Sequence, residues 1–251
     1  MSAVEAECRS RGCAQAVIGG ASEVLPGAYR ASAQTTLTLD LENGSESLWD
    51  GFGNKVRNTI RKAERDGLEV SRDLAHLSAF HAIYARAMTE RRANVRGLPF
   101  FRAIFDVFSG DARLYSAVVG GRTCGAMVVV SVGGYAAYPF GAFDVEGRHR
   151  GANTLLLWHV ARDLIGEGVR SLDLGPSKPN SGAFHFKLHL GGVPQTLHYV
   201  DLFRQAQPVS ASAISAGPPS APGPLDRTIE QLPFVLRVQV RTWLGRTGRL
   251  L

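Results

Sequence analysis

The segment from Asp173 to Lys187 carries side chains suited to chemistry in this sequence of 251 residues. Asp173 lies near the end of a short apolar run, and the glycine, proline and serine residues after it predict a loop. In α/β sheets, ligand sites open at the carboxyl ends of parallel strands, where such a loop begins. A lysine beside this opening can stabilise a developing oxyanion or hold a phosphate, so Lys178 and Lys187 are candidates for that role. Asp173 is a candidate general base.

A second candidate site is the turn from Asp144 to Asn153, which leads from a predicted strand into a predicted helix. It contains Arg148, Arg150 and Gly151. Free backbone N–H groups at a helix N-terminus and the guanidinium groups of arginine are the donors that a phosphate or carboxyl group needs. The turn therefore predicts an anion site. In the alternative interpretation, its glycines only allow the backbone to turn and bind nothing.

The net charge of +6 is concentrated in two short segments. Residues 55–66 carry a net charge of +3, and the residues after Gln205 carry another +3. The basic residues of the first segment are Lys55, Arg57, Arg61, Lys62 and Arg65. Compact basic segments favour contact with a phosphate-bearing ligand, RNA or an anionic membrane surface, although a solvated helix face has the same composition.

Motifs and spacing exclude several other kinds of site. His185 and His189 are four residues apart, but no third ligand lies near them in the sequence, so no metal site is predicted. Cys8, Cys13 and Cys124 are odd in number and unpatterned, which predicts free thiols. No Gly-x-Ser-x-Gly, Walker A or dinucleotide-binding motif is present, which excludes serine hydrolase, P-loop and Rossmann functions.

The elements that would position these side chains predict an α/β fold. Residues 35–41 alternate as in a strand. Ser45 is then predicted to cap a helix, which is interrupted near Gly51 and Gly53 and ends at Gly67. A short strand at 69–71 and two amphipathic helices follow, the first over 77–88 and the second after Pro99.

Three apolar runs lie between residues 112 and 143, separated by Gly120-Gly121 and Gly133-Gly134. Two-residue glycine connections predict tight hairpins, so the runs form an antiparallel meander. A helix over 153–166 and a strand over 169–174 complete a βαβ unit with parallel strands. A short helix at 183–189 and a strand at 196–204 end a mixed sheet with helices on both faces.

Four regions are predicted along the chain. Residues 1–34 are an N-terminal extension or the remnant of a preceding domain, and residues 35–204 are the α/β domain. Residues 205–224 contain a run of prolines, serines and alanines typical of a flexible linker. Residues 225–251 form a basic amphipathic helix, which docks on the core or lies on an anionic membrane.

Two of these motifs make the chain resemble the FemAB family of peptidoglycan-bridge aminoacyl transferases, close to the FemAB-like proteins associated with exosortase and PEP-CTERM systems. Leu48-Trp49, followed by the basic segment 55–68, is similar to the family's basic helix. The segment 175–187 is similar to its glycine-rich loop that ends in Phe-Lys. The resemblance covers residues 35–204, and the segment around Leu232-Pro233 is similar to the exosortase-associated branch.

The resemblance implies a GNAT acyltransferase fold and the transfer of an acyl or aminoacyl group to an amine. Phe186 and Lys187 would lie in the catalytic cleft, where Lys187 would stabilise the oxyanion or the leaving group and Phe186 would shape the acceptor site. Lys55, Arg57 and Arg61 would contact the phosphates of a cell-envelope or exopolysaccharide precursor, or of tRNA.

The same resemblance implies that no cofactor is bound permanently. The GNAT pyrophosphate pattern is matched at Arg148 and Gly151, with Asn153 in place of its last small residue. Both aminoacyl-tRNA and acyl-coenzyme A therefore stay open as the acyl donor. Two other functions also stay open, an acyl-coenzyme A-dependent N-acetyltransferase and a catalytically inactive module that binds an envelope precursor.

Composition and length predict a globular protein of the cytoplasm. Apolar residues make up 45% and charged residues 20% of the chain, which is ordinary for a folded protein with a core. No apolar run reaches about 18 residues, and the first 20 residues carry charges where a signal peptide needs an apolar stretch. The basic segment 225–251 adds a predicted peripheral contact with the inner face of the plasma membrane.

Overall fold

The structure, a computed structural model, describes residues 17–21 and 29–201, with side chains over 35–196. The strands are β1 (Val17–Ala21), β2 (Tyr29–Asp40), β3 (Glu69–Ser71), β4 (Ala112–Val119), β5 (Arg122–Val132), β6 (Tyr135–Phe143), β7 (Ser171–Pro176) and β8 (Val193–Asp201). The helices are α1 (Gly44–Gly51), α2 (Asn54–Arg65), α3 (Leu77–Glu90), α4 (Leu98–Phe108), α5 (Val145–His149), α6 (Ala152–Gly166) and α7 (Gly182–His189). Cys8, Cys13, the predicted linker 205–224 and the predicted helix 225–251 lie outside the described residues.

The chain divides into two compact units. The larger unit contains residues 37–175 and 179–194, and the smaller one contains the described residues before 37, from 176 to 178 and after 194. In the smaller unit, β1 pairs antiparallel with β8, and Val17 lies opposite Asp201. The sequence does not predict β1, because its glycine-rich five residues lack the alternation of a longer strand.

A mixed sheet forms the centre of the larger unit, with the strand order β2-β7-β6-β5-β4-β3. The strands β4, β5 and β6 form the predicted antiparallel meander, in which Ala112 pairs with Val130 and Val132 pairs with Tyr135. The turns at Gly120-Gly121 and Gly133-Gly134 have positive φ angles at all four residues, which only glycine adopts readily. The strands β6 and β7 are parallel, as the βαβ pattern predicts.

Helices cover both faces of this sheet. Val56 and Ile60 of α2 and Leu156 of α6 belong to one buried cluster with Tyr115 of β4, which defines one face. Side chains alternate along a strand, so Leu114 faces the opposite side, which α3 and α4 cover. There the ring of Phe101 lies 5.2 Å from that of Phe80 and 5.3 Å from that of Phe140.

The observed elements differ from the predicted ones mainly at their ends. Helix α1 begins at Gly44 with Asn43 at the N-cap position, so the prediction of Ser45 as the cap is wrong. Gly44 has a φ of +81° and lets the chain enter the helix one residue earlier. The short helix α5 was not predicted, because five residues are too few for helical spacing to be recognised.

Candidate active site

The candidate site lies where β6 and β7 stop pairing. Their parallel register covers three pairs, from Tyr135 and Ser171 to Ala137 and Asp173. Both strands continue beyond it, β6 to Phe143 and β7 to Pro176. Because the strands are parallel, both carboxyl ends leave from the same edge of the sheet, the edge at which α/β proteins bind ligands.

Asp173 is the last residue of β7 that pairs with β6, and its carboxylate is buried. The residue is 3% exposed. The Tyr135 hydroxyl donates to Oδ2 at 3.0 Å, and the backbone N–H of Gly175 donates to Oδ1 at 2.7 Å. Both carboxylate oxygens therefore accept hydrogen bonds from the protein, as a buried charge requires.

Gly175 links this carboxylate to Lys187. Its carbonyl oxygen accepts a hydrogen bond from Lys187 Nζ at 2.8 Å, while its N–H donates to Asp173. The residue has a φ of +81°, a backbone conformation that favours glycine. The ammonium group therefore lies at the end of β7, two residues beyond the aspartate.

Helix α7 brings Lys187 to this position. Ser181 caps the helix, because its Oγ accepts a hydrogen bond from the backbone N–H of Phe184 at 3.2 Å. Lys187 is only 7% exposed, which is rare for a lysine. Gly192 packs directly against this turn of helix, since a Cβ there would lie 2.7 Å from the carbonyl oxygen of Lys187. Phe186, the neighbouring candidate, is half-buried against the core.

Burial sets the protonation behaviour of the site. It lowers the pKa of Lys187 to about 8, against the opposing effect of the Asp173 charge. Burial, strengthened by the same carboxylate, raises the pKa of Tyr135 well above its usual range and that of Tyr138 to about 12. Near neutral pH the site thus combines a mostly protonated amine with two protonated phenols, and a cationic donor of this kind can stabilise an oxyanion.

The predicted anion turn follows the end of β6. Gly151 occupies the N-cap position of α6 with a φ of +75°, and its carbonyl oxygen accepts from the N–H of Leu155 at 3.1 Å. The backbone N–H groups of the first helical turn, before Leu155, have no acceptor within the helix, and they are the groups that a helix N-terminus presents to an anion. Arg148 is exposed, and its Nη1 donates to the carbonyl oxygen of Phe143 at 2.6 Å, at the end of the strand.

Two of the predicted binding arginines have structural contacts. Arg150 donates to Glu146 Oε1 at 3.0 Å and to the carbonyl oxygen of Asp66 at 3.2 Å, so it ties α5 to the end of α2. Arg57 donates to the carbonyl oxygen of Asp50 at 3.1 Å and to Asn54 Oδ1 at 2.7 Å, which satisfies the end of α1.

The other predicted cations lie on exposed surface. Lys55 and Arg61 are exposed on α2, and the Arg61 guanidinium lies 5.4 Å from the centre of the Trp49 ring. Lys178 is exposed and belongs to the smaller unit. The structure therefore brings Asp173 and Lys187 together, whereas Lys55 and Arg61 are exposed to solvent on α2.

Two contributors to the site were missed by sequence reasoning. Gly175 had a local signal, because an aspartate two residues before a glycine is typical of an Asx turn. Tyr135 had none, because it is 38 residues from Asp173 and depends on the pairing of β6 with β7.

Over the part of the chain that the structure describes, no group of three or more His, Cys, Asp and Glu side chains is arranged to hold a metal ion. Among the helices of that same part, none has the length and apolar character needed to span a bilayer.

Comparison with known proteins gives a family and a fold. A family model described as an acetyltransferase (GNAT) domain matches residues 52–188, more than half of the chain. The crystal structure of FemX has a TM-score of 0.59 at 13% sequence identity, covering 79% of this chain and 68% of that one. A conserved protein of unknown function from Bacteroides thetaiotaomicron has a TM-score of 0.52 at 12% identity, covering 80% of this chain and 66% of that one.

The structure of L-PGS from Bacillus licheniformis has a TM-score of 0.49 at 12% identity, covering 69% of this chain and 61% of that one. No curated protein matches the sequence. At these identities the likeness is one of fold, and the chain spans about two thirds of the length of the first two structures.

Proposed function

Because this chain belongs to the acetyltransferase (GNAT) domain family, we propose that it forms an amide by moving an acyl group from an activated carrier to an amine acceptor. The observation that carries this proposal is the buried ammonium group of Lys187, which donates to the Gly175 carbonyl at the end of β7. Lys187 is 7% exposed, and the burial of a charged side chain costs free energy of folding. Buried groups with a shifted pKa cluster at functional sites, which makes Lys187 a candidate for catalysis.

In the proposed reaction, the acceptor amine attacks the acyl carbon, and a C–N bond forms as the bond to the carrier breaks. The negative charge that develops on the acyl oxygen is stabilised by the Lys187 ammonium. The amine gives up one proton to solvent, and the departing thiol or hydroxyl group of the carrier takes one up. Phe186, next to Lys187 and half-buried, would form a wall of the acceptor site.

The carrier is bound in this proposal by the turn after β6. Phosphates of the donor would accept hydrogen bonds from the first-turn amides of α6 and from the exposed guanidinium of Arg148. Acyl-coenzyme A and aminoacyl-tRNA both carry phosphates, so both are tested as donors.

The acceptor in this proposal is a phosphate-bearing precursor of the cell envelope or of an exopolysaccharide. The exposed cations Lys55 and Arg61 on α2 supply charge that suits such a precursor. A phosphate contact by Lys178 stays a prediction. This class of acceptor is the one that the resemblance of segments 55–68 and 175–187 to the FemAB family implies. An association with exosortase systems, a tRNA contact and a peripheral position at the inner face of the plasma membrane stay predictions, as does the division into four regions.

The test is multiple-turnover transfer to a nucleotide-linked muropeptide, with acetyl-coenzyme A and aminoacyl-tRNA as alternative donors. Lys187→Met should lower kcat by about 10²–10³, the effect of losing one oxyanion donor. Lys62→Met is the matched control, because Lys62 is an exposed lysine that pairs with Asp66 and has no part in the proposed reaction, and it should leave kcat within about twofold.

Two results would contradict the proposal. The first is equal kcat in Lys187→Met and the wild type. The second is precursor binding without turnover in both proteins with either donor, which would favour the inactive binding module. A transfer with acetyl-coenzyme A alone would identify the N-acetyltransferase alternative.

A further inference from the structure

The environment of Asp173 does not suit the general base that the sequence suggests. A general base must come within about 2.6–3.2 Å of the proton that it removes. Here the residue is 3% exposed, Oδ1 accepts from Gly175 and Oδ2 accepts from Tyr135. Held by the protein at both oxygens, the carboxylate is better placed to act on the neighbouring ammonium group than to take a proton from a substrate.

We propose that Asp173 is a positioning residue: held by Tyr135 and Gly175, its carboxylate keeps the amine of Lys187 positively charged and fixed at the end of β7. The proposal rests on the proposed function, in which that ammonium group stabilises the oxyanion. It assigns to Tyr135 and Gly175 the task of holding the carboxylate rather than a contact with substrate.

The geometry couples the two charges through one glycine. Tyr135 donates to Asp173 at 3.0 Å, Gly175 donates to Asp173 at 2.7 Å, and Lys187 donates to Gly175 at 2.8 Å. The positive φ of Gly175 lets its N–H and its carbonyl oxygen serve these two partners at once. A movement of the carboxylate is therefore transmitted to the carbonyl oxygen that receives the ammonium group.

The groups around Lys187 determine whether its pKa is raised or lowered. Asp173 of β7 acts electrostatically on Lys187 and raises its pKa, while burial lowers it to about 8. On β6, Tyr135 and Tyr138 have raised pKa values and stay neutral over the working range. On α7 itself, His185 and His189 are exposed to solvent, whereas Lys187 is buried. Without the carboxylate, burial would deprotonate Lys187 at a lower pH.

The direct test is the titration of Lys187 by NMR in the full chain. The sequence contains four lysines, Lys55, Lys62, Lys178 and Lys187, so protein labelled with ¹³C and ¹⁵N in lysine gives a small set of side-chain signals. Loss of one signal in Lys187→Arg assigns it. The wild type should titrate with a midpoint near 8, and Asp173→Asn should lower that midpoint by about one pH unit.

Asparagine has nearly the shape of aspartate and can still accept from Gly175, so Asp173→Asn is expected to fold; its circular dichroism and Tm are checked. Should it fail to fold, Tyr135→Phe replaces it. That change removes one of the two hydrogen bonds that hold the carboxylate, so the carboxylate should act less on Lys187 and the midpoint should fall. An unmoved midpoint in the folded variant overturns the positioning role.

Kinetics separates this proposal from the proposed function. Transfer should decline as the pH rises through the Lys187 midpoint, and in Asp173→Asn this decline should move to lower pH by the same amount as the NMR midpoint. A purely structural aspartate would lower kcat without moving the decline. A moved midpoint in a protein that transfers nothing would uphold the coupling and overturn the enzyme function.

Discussion

Replacing Gly151 by alanine tests how the donor turn is packed against the basic helix. An added Cβ would lie 2.4 Å from Cγ2 of Thr59 on α2, far inside van der Waals contact. Thr59 cannot turn away freely, because its Oγ1 donates to the carbonyl oxygen of Lys55 at 2.8 Å and threonine is stiff at χ1. The overlap should cost about 2 kcal/mol and the φ of +75° about 1 kcal/mol more, so Gly151→Ala should lose about 3 kcal/mol of unfolding free energy.

The two contributions can be separated with Thr59→Ser, which removes the methyl group and keeps the hydroxyl. This change alone should cost about 1 kcal/mol, so additivity predicts a loss of about 4 kcal/mol for the double variant. Because serine has no methyl group to overlap with the new Cβ, the double variant should instead lose about 2 kcal/mol, about 1 kcal/mol from backbone strain and about 1 kcal/mol from the missing methyl group.

Urea unfolding of the four proteins measures this coupling directly. Gly166→Ala is the matched control, because a Cβ at that position in the last turn of α6 meets nothing within 4 Å. It should change stability by less than about 1 kcal/mol, in the stabilising direction. Strict additivity of Gly151→Ala and Thr59→Ser would refute the close approach of the turn to α2.

Two further substitutions test the same region. Gly147→Ala should lower the free energy of unfolding in urea by about 3 kcal/mol, because its Cβ would lie 2.3 Å from the backbone oxygen of Cys124, which has little freedom to move. A variant as stable as the wild type would show that α5 does not pack on β5. Arg148→Ala should raise the KM of the acyl donor about tenfold with kcat nearly unchanged, the effect of one charged hydrogen bond. Arg150→Ala should instead lower the Tm, because Arg150 ties α5 to α2. A raised KM in Arg150→Ala and a lowered Tm in Arg148→Ala would exchange their roles.

Much of the larger unit follows from local sequence signals. The meander was predictable because Gly120-Gly121 and Gly133-Gly134 punctuate three apolar runs, and short glycine connections allow only tight hairpins. The parallel pairing of β6 with β7 followed from the helix between them. Helix α5 and strand β1 were missed, because segments of five residues are too short to show a period.

The candidate site was predictable in part for a similar reason. Asp173 and Lys187 lie at the end of a strand and on the helix after it, and such positions can be recognised from the order of elements. The burial of Lys187 could not be recognised from the sequence. Lysine is mostly exposed in proteins, and only the packing of α7 against Gly192 places this one inside. The structural use of Arg57 and Arg150 was equally hidden, since their partners are backbone oxygens at the ends of other helices.

The chemistry of Lys187 therefore depends on the register of the central sheet. Tyr135 lies opposite Ser171 in the parallel pairing, and its hydroxyl reaches Asp173, two residues further along β7. A slip of one residue would turn the side chains of β7 to the other face of the sheet and remove Asp173 from both Tyr135 and Lys187. The core contacts that oppose this slip, such as Leu172 and Leu174 in the buried cluster, thus also maintain the charge of the amine. Substitutions in the core that loosen the register of β7 should accordingly alter the pH dependence of transfer before they unfold the protein.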